Sequence, residues 1–332
     1  MSDLKERLNK FLETRGQPTE FKALTADAST REYFRVNWNG ADAIACVYPL
    51  PFDPAAVNFL DVTQLFTAGG LPVAKILDSD GLLGVILQED FGDRILRDVL
   101  LESEPQRRER RFNEAISMIA RIQVITHKAY EMDSIASKLK FDTEKLLWEL
   151  NFFKEHYFET FLKKPLSPAD DAALSDEFAE LARELDGYAS VLCHRDFHSA
   201  NLMIDRHGKM RIIDHQDARI GSMAYDLVSL LLDRITDLPS PEWLAEQRRY
   251  FLDVRRKFGL PKIDEDEFAY EFRLQTIQRC LKAAGTFSFQ SVNRGKTYFV
   301  PFIKPMFRIS IRGAISLGRF PAIREILGRQ IS

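Results

Sequence analysis

One short stretch constrains this chain more than any other. It is His194-Arg195-Asp196-Phe197-His198-Ser199-Ala200-Asn201, followed thirteen residues after Asn201 by Asp214, which closes the apolar run Arg211-Ile212-Ile213. Val191–Cys193 before the stretch and Leu202–Ile204 after it are short and apolar, so the segment reads as strands joined by a polar loop. Such a segment presents one carboxylate and, five residues on, one carboxamide from a single loop, and a second carboxylate from the end of a neighbouring strand. Asp and Asn are also common turn residues, and that plainer reading stands beside the chemical one.

The chain has 332 residues, enough for one large domain or two lobes with sizeable cores. Its net charge of -3 argues against a nucleic-acid binder, whose footprint is basic. Cys46, Cys193 and Cys280 are far apart, form no CxxC and sit in apolar contexts, so they read as buried small hydrophobes rather than zinc ligands or a disulfide framework. The segment Met1–Lys10 is charged and lacks the apolar stretch of a signal peptide, and no run has the length of a membrane span. A cytoplasmic protein with no membrane partner is the expectation.

Leu4, Leu8, Phe11 and Leu12 recur at helical spacing over residues 3–15. Phe21–Leu24, Tyr33–Trp38, Ala43–Tyr48, Val73–Leu77 and Leu82–Gln88 read as five strands, the last two joined by a turn at Asp78-Ser79-Asp80-Gly81. A helix from Pro54 to Ala68 follows the third strand and ends at Gly69-Gly70. The rest is mainly helical. Helices are expected over about 104–127, from Asp142 to about Leu162, and over roughly 168–186, 225–234, 241–258, 264–284 and 297–315. The run Gln106–Arg111 reads as a solvated helix face, and the aromatics Phe287, Phe289, Tyr298, Phe299, Phe302 and Phe307 as core.

The motif His-Arg-Asp-x-x-x-x-Asn has the catalytic-loop spacing of protein kinases. Asp-Phe-Gly and Ala-Pro-Glu, which a protein kinase would carry, do not follow in the expected places. Instead Asp214-His215-Gln216-Asp217-Ala218, then Gly221 and Tyr225-Asp226-Leu227, resemble the aminoglycoside phosphotransferase family of small-molecule kinases. Leu24–Val36 and Gln278–Phe287 are similar to the branch that phosphorylates the anomeric hydroxyl of N-acetylmuramate and N-acetylglucosamine. The resemblance spans about residues 20 to 315 and is most specific over Val191–Leu232.

That resemblance implies an α+β, bilobal protein-kinase-like fold with a small five-stranded N-lobe and a mainly helical C-lobe. The nucleotide-binding lobe is expected over 1–90, a hinge over 88–92 and a catalytic, substrate-binding lobe over 93–332. It also implies ATP and Mg²⁺ as cofactors. Asp196 is expected to orient the acceptor hydroxyl and take its proton, and Asn201 and Asp214 to hold the metal through hard oxygen ligands. Asp217 is left between a second metal, the sugar and a plain turn. Asp226 is expected to brace the catalytic loop through backbone amides, with His194 packed beneath it, a plain acid at a helix N-terminus being the other reading of Asp226. His198 and Arg279 are candidate acceptor contacts. Ser29 lies in the expected phosphate-covering loop, which has no glycine, and Gln88, Glu89 and Phe91 lie in the expected adenine hinge.

One departure stands out. The third strand, Ala43–Tyr48, has no lysine to pair with the nucleotide phosphates. Arg31, Tyr33 and Arg35 share one face of the second strand by period-two alternation, so Arg31 and Arg35 are the substitute cations to test. Lys75 is the next candidate.

Arg273, Arg279, Lys282 and Arg294 give the expected acceptor region a basic character that suits a carboxylate better than a polycation or a quaternary amine. The resemblance implies ATP-dependent phosphorylation of an amino-sugar hydroxyl, the anomeric one of N-acetylmuramate or N-acetylglucosamine, in cell-wall sugar recycling, and the basic character fits it. The alternatives are a kinase for another small alcohol, of aminoglycoside or choline type, and a non-catalytic nucleotide-binding pseudokinase. A small-molecule partner is expected, with no nucleic acid and no obligate protein partner.

Overall fold

The computed structural model describes residues 3–24 and 31–331. Two compact units emerge: Met1–Arg108 with Ser199–Asp217, and Glu109–His198 with Ala218–Ser332. In chain order the elements begin with α1 (Asp3–Glu13), β1 (Phe21–Leu24), β2 (Glu32–Trp38), β3 (Ala41–Val47), α2 (Asn58–Ala68), β4 (Ile76–Asp80), β5 (Val85–Glu89) and α3 (Leu96–Glu102). There follow α4 (Pro105–Val124), α5 (Thr126–Glu131), α6 (Ile135–Lys138), α7 (Thr143–Lys154), α8 (Pro168–Tyr188) and β6 (Val191–Cys193). Last come β7 (Leu202–Ile204), β8 (Met210–Ile212), β9 (Arg219–Gly221), α9 (Tyr225–Leu231), α10 (Pro241–Lys257), α11 (Glu265–Asn293), α12 (Ile303–Leu317) and α13 (Pro321–Ile331).

The first unit is built on an antiparallel sheet of order β1-β2-β3-β5-β4. Period-two alternation gives it two apolar faces. Phe34, Val36, Ala43, Ala45, Val47, Val85 and Leu87 pack on one face against Leu8, Phe11 and Leu12 of α1. Cys46 and Ile86 point to the other, where Phe59 of α2 covers them. This burial is why Leu8, Phe11 and Leu12 recur at helical spacing in the sequence.

Two sequence expectations shift here. The fourth strand is β4, Ile76–Asp80, not Val73–Leu77, and Asp78 and Asp80 belong to it rather than to a turn. The acids are tolerated because β4 is an edge strand and Arg15 pairs with both, at 2.5 Å to Asp78 and 3.4 Å to Asp80. The helix expected from Pro54 is a single 3₁₀ turn, Pro54–Ala56, capped by Asp53, before α2 begins at Asn58.

The β7–β8 hairpin belongs to this same unit. Ile212 bridges Val73, Met203 bridges Ile95, and the Ile204 amide donates to the Arg94 carbonyl at 2.8 Å. The segment expected as the hinge, 88–92, also lies within it.

The second unit is mainly helical. Helix α11 is its longest element and packs on α7, α9 and α12. Gly285 explains one contact. A Cβ there would lie 2.6 Å from the Phe153 Cα, so only glycine lets α11 approach the backbone at the end of α7 this closely. Asp142 caps α7, as the sequence indicates, accepting from the Lys145 amide at 2.8 Å. The helix does not run on unchanged to Leu162: from Glu155 to Phe161 its turns widen into a π-helix. Helix α4 stops at Val124 because Thr126 bends the chain, donating to the Gln123 carbonyl and accepting from the Leu192 amide. Helix α11 runs nine residues past its expected end, to Asn293, and α13 extends the helical region beyond residue 315.

Candidate active site

In the second unit, β6 and β9 pair in register, Val191 with Gly221 and Cys193 with Arg219. The chain leaving β6 forms the polar loop. His194 is fully buried, its ring edge-on to Phe197 at 5.6 Å. Arg195 adopts φ +85°, a left-handed turn that swings the next side chain outward. The turn is fastened by Asp226, in the first turn of α9, which accepts the His194 amide at 2.7 Å and the Arg195 amide at 3.0 Å. Burial lifts the Asp226 carboxyl to about 7 even though both amides favour its charged form.

Asp196 follows. Its Oδ1 accepts from Lys282 Nζ at 3.1 Å and lies 3.5 Å from Arg279 Nη2. Arg195 Nε lies 4.0 Å from its Oδ2. Burial alone would raise this carboxyl; Lys282, Arg195 and Arg279 more than offset that and hold it well below the ordinary carboxylate range. It is therefore an acceptor of hydrogen bonds across the neutral range. His198 lies two residues on. Burial lowers its ring below the usual histidine value, against the pull of Asp233 and Asp196.

The cations come from one face of α11. Gln275, Gln278, Arg279 and Lys282 follow the i, i+3, i+4, i+7 rule. Gln275 donates to Gln278, which donates to buried Glu149 of α7 at 2.8 Å, and Arg279 donates to Ser229 of α9 at 3.0 Å. These bonds fix the rotamers of the face that supplies Lys282.

The first unit holds the other candidates. Asn201 ends a 3₁₀ turn, Ser199–Asn201, just before β7, and its carbonyl accepts the Ile213 amide at 3.1 Å, closing the hairpin. This brings Asn201 Nδ2 to 3.4 Å from Asp214 Oδ2. Asp214 has φ +62°, and its Oδ1 accepts from Gln216 Nε2 at 2.9 Å. Next to it, His215 is buried between Phe59 and Phe66, with a ring nitrogen 2.7 Å from Thr63 Oγ1. Helix α2 thus anchors the backbone that carries Asp214. One carboxylate and one carboxamide oxygen suit Mg²⁺, which takes few protein ligands and completes its shell with water and phosphate. Among the described residues, no cluster of three His, Cys, Asp or Glu offers a dedicated metal cage. Asp217 ends this unit, partly buried.

A family model described as phosphotransferase enzyme family (APH) matches residues 20–265. The chain belongs to that family. It is a small-molecule kinase that uses a nucleotide. Curated relatives include the N-acetylmuramate/N-acetylglucosamine kinase of Neisseria meningitidis serogroup B, 28% identical over 91% of this chain and 89% of that one. The enzyme of the same name in Pseudomonas aeruginosa is 28% identical over 88% and 82%. Among solved structures, the choline kinase of Cryptosporidium parvum superposes with TM-score 0.60 at 14% identity, covering 91% of each chain. ADP-bound aminoglycoside phosphotransferase APH(2'')-Ib does so with TM-score 0.59 at 13% identity, covering 93% of this chain and 97% of that one. These likenesses show the protein-kinase-like α+β fold.

Within this phosphotransferase, the remaining described candidates lie on the sheet or in the segments that flank it. Gln88 and Glu89 are the last residues of β5, paired with Ile44 and Ala43 of β3. Phe91 is buried beneath the guanidinium of Arg211, 4.9 Å from its ring centroid. Arg35 is engaged by acids: its Nε donates to Asp90 at 2.6 Å and its Nη2 to Asp93 at 2.8 Å. Arg31 sits over the rings of Tyr48 and Tyr33, at 5.5 and 5.8 Å. Ser29 and the rest of the expected phosphate-covering loop lie outside the described residues. Among the described residues, no helix is long and apolar enough to cross a membrane.

The sequence reading missed Asp233, Arg234 and Glu149, and placed Lys282 only in a general basic region. The α11 spacing carried the signal for Lys282: Gln275, Gln278, Arg279 and Lys282 form a polar stripe at helical period. Arg294, by contrast, caps the exposed end of α11.

Proposed function

We propose that this phosphotransferase transfers the γ-phosphoryl group of ATP to an amino-sugar hydroxyl, the anomeric one of N-acetylmuramate or N-acetylglucosamine, in recycling of cell-wall sugars. The observation that carries the reading is Asp196. It is ionised, aimed by the Asp226 bracket, and flanked by Lys282 and Arg279. A base of this kind takes the hydroxyl proton as the phosphoryl group arrives. Lys282 and Arg279 offset the charge that gathers there. The names of the curated relatives support the sugar.

Asn201 and Asp214 would hold Mg²⁺, which when bound neutralises phosphate oxygens and fixes their position. The last residues of β5 and the 90–92 segment would receive adenine through backbone groups, and Arg31 would face the phosphates in place of the missing lysine. His198, Arg279 and Asp217 would line the acceptor. A panel of amino sugars, aminoglycosides and choline, tested for ATP-dependent phosphorylation with product analysis at the anomeric carbon, checks the reading. Preference for a cationic acceptor, or a phosphate on another hydroxyl, refutes it.

A further inference from the structure

Helix α9 ends at Leu231, and the turn after it carries Asp233 and Arg234. Arg234 has φ +47°, a left-handed conformation that a non-glycine residue holds only when its surroundings impose it. Its guanidinium lies over the Phe299 ring, 5.0 Å from the centroid, and its buried Nε has no hydrogen-bond partner. Its nearest acid is Asp233, whose Oδ1 is 3.9 Å away, beyond hydrogen-bond range. The Asp233 side chain is only 13% exposed, yet no hydrogen bond to it occurs among the described residues.

Two opposite charges this close and this buried would ordinarily close on each other. Here the aromatic shelf of Phe299 and the strained turn hold them apart. Both line a cleft with Ser229, Leu232, Arg279 and Met306. Arg279, which lines the cleft, lies 3.5 Å from Asp196, so the cleft adjoins the Asp196 loop. Around it Arg195, Arg234, Arg279 and Lys282 outnumber Asp196, Asp233 and buried Glu149, which favours an acceptor that brings negative charge of its own.

We propose that Arg234 receives a carboxylate of the acceptor and Asp233 one of its hydroxyls, so that the end of α9 selects an acid sugar over a neutral one. This rests on the amino-sugar kinase reading. N-acetylmuramate differs from N-acetylglucosamine by a lactyl ether bearing a carboxylate, so the two sugars isolate the contact.

The test measures kcat/KM for both sugars in wild type, Arg234→Ala, Arg234→Lys and Asp233→Asn, with thermal midpoint and ATP affinity as fold controls. Arg234→Ala should lose about tenfold more on N-acetylmuramate than on N-acetylglucosamine, mainly through KM, as expected for a lost charge-assisted bond. Arg234→Lys should recover part of the difference, since it keeps the charge but not the planar fork. Asp233→Asn should weaken both sugars alike. An equal fall on both sugars in Arg234→Ala overturns the role of Arg234 and leaves the kinase reading standing. A folded wild type that binds ATP and phosphorylates neither sugar refutes the substrate reading, and this inference with it.

Discussion

Lys282 donates from Nζ to Oδ1 of Asp196 at 3.1 Å, across a buried helix face. The contact has two consequences of opposite sign. Burial pulls the lysine below its ordinary value while Asp196 pulls it back up. The carboxylate, in return, is held well below its ordinary range with Lys282 the largest attractive contribution. A carboxyl whose folded value is depressed adds stability that is present above the unfolded value near 3.8 and lost as pH falls through the folded one. Lys282→Met should therefore move the acid limb of kcat/KM upward by about one pH unit or more. Turnover at neutral pH should fall as well. A pH–rate profile with an unmoved acid limb would assign the low value to the arginines instead.

Asp196→Asn removes the proposed proton acceptor while keeping the shape. The Asp226 bracket, which holds the loop through backbone amides, is untouched by this change. The variant should fold, with a thermal midpoint lowered because Lys282 and Arg279 lose their anionic partner, and lose about a hundredfold or more in turnover. Near-normal turnover would take the base role away from Asp196.

Asp214→Ala tests the metal half. The residue shares its immediate neighbourhood with Asn201 and Gln216, neither of which carries charge. Removing it should abolish the dependence of ATP binding on Mg²⁺, read by titrating ATP with and without the ion. The buried His215–Thr63 contact keeps the backbone in place, so stability should change little.

Gly285→Ala tests the packing of α11. The added Cβ would meet the Phe153 Cα at 2.6 Å and its nitrogen at 3.0 Å, both backbone atoms that cannot step aside. Helix propensity favours alanine by about 1 kcal/mol. Overpacking of this kind costs about 1–3 kcal/mol and should win. The thermal midpoint should drop. A midpoint equal to or above wild type would show that α7 and α11 separate freely.

Much of the fold was legible because it rests on period. Phe34 and Val36 alternate with Tyr33 and Arg35 along β2, and Leu8, Phe11 and Leu12 mark α1. The pairing of Asn201 with Asp214 and the bracketing of the Asp196 turn by Asp226 were legible because their spacing is set by one turn and one hairpin. What was not legible depends on tertiary partners. Asp78 and Asp80 look like turn residues until Arg15 arrives from sixty residues away to pair them into an edge strand. The polar tip of α9, Asp233 and Arg234, carries no local pattern at all. Its meaning comes from Phe299 and Arg279, which local sequence does not place beside it.

The last prediction concerns the lysine that β3 lacks. ATP brings several negative charges, and a bound metal ion offsets only part of them, so a side-chain cation should meet the phosphates from the sheet. Arg35 has Asp90 and Asp93 on its donors, and its charge is spent locally. Arg31 is different. Its guanidinium rests on the faces of Tyr33 and Tyr48 and lies 3.5 Å from the Tyr48 hydroxyl. Aromatic seating fixes the direction of a guanidinium while keeping its charge, and a planar guanidinium pairs well with phosphate. Arg31→Ala should raise the KM for ATP about tenfold or more and leave the thermal midpoint nearly unchanged. Arg35→Ala should do the reverse, costing about 1 kcal/mol of stability with little effect on ATP. If Arg31→Ala and the double variant both bind ATP as wild type does, the cation is elsewhere, and Lys75→Ala becomes the measurement that locates it.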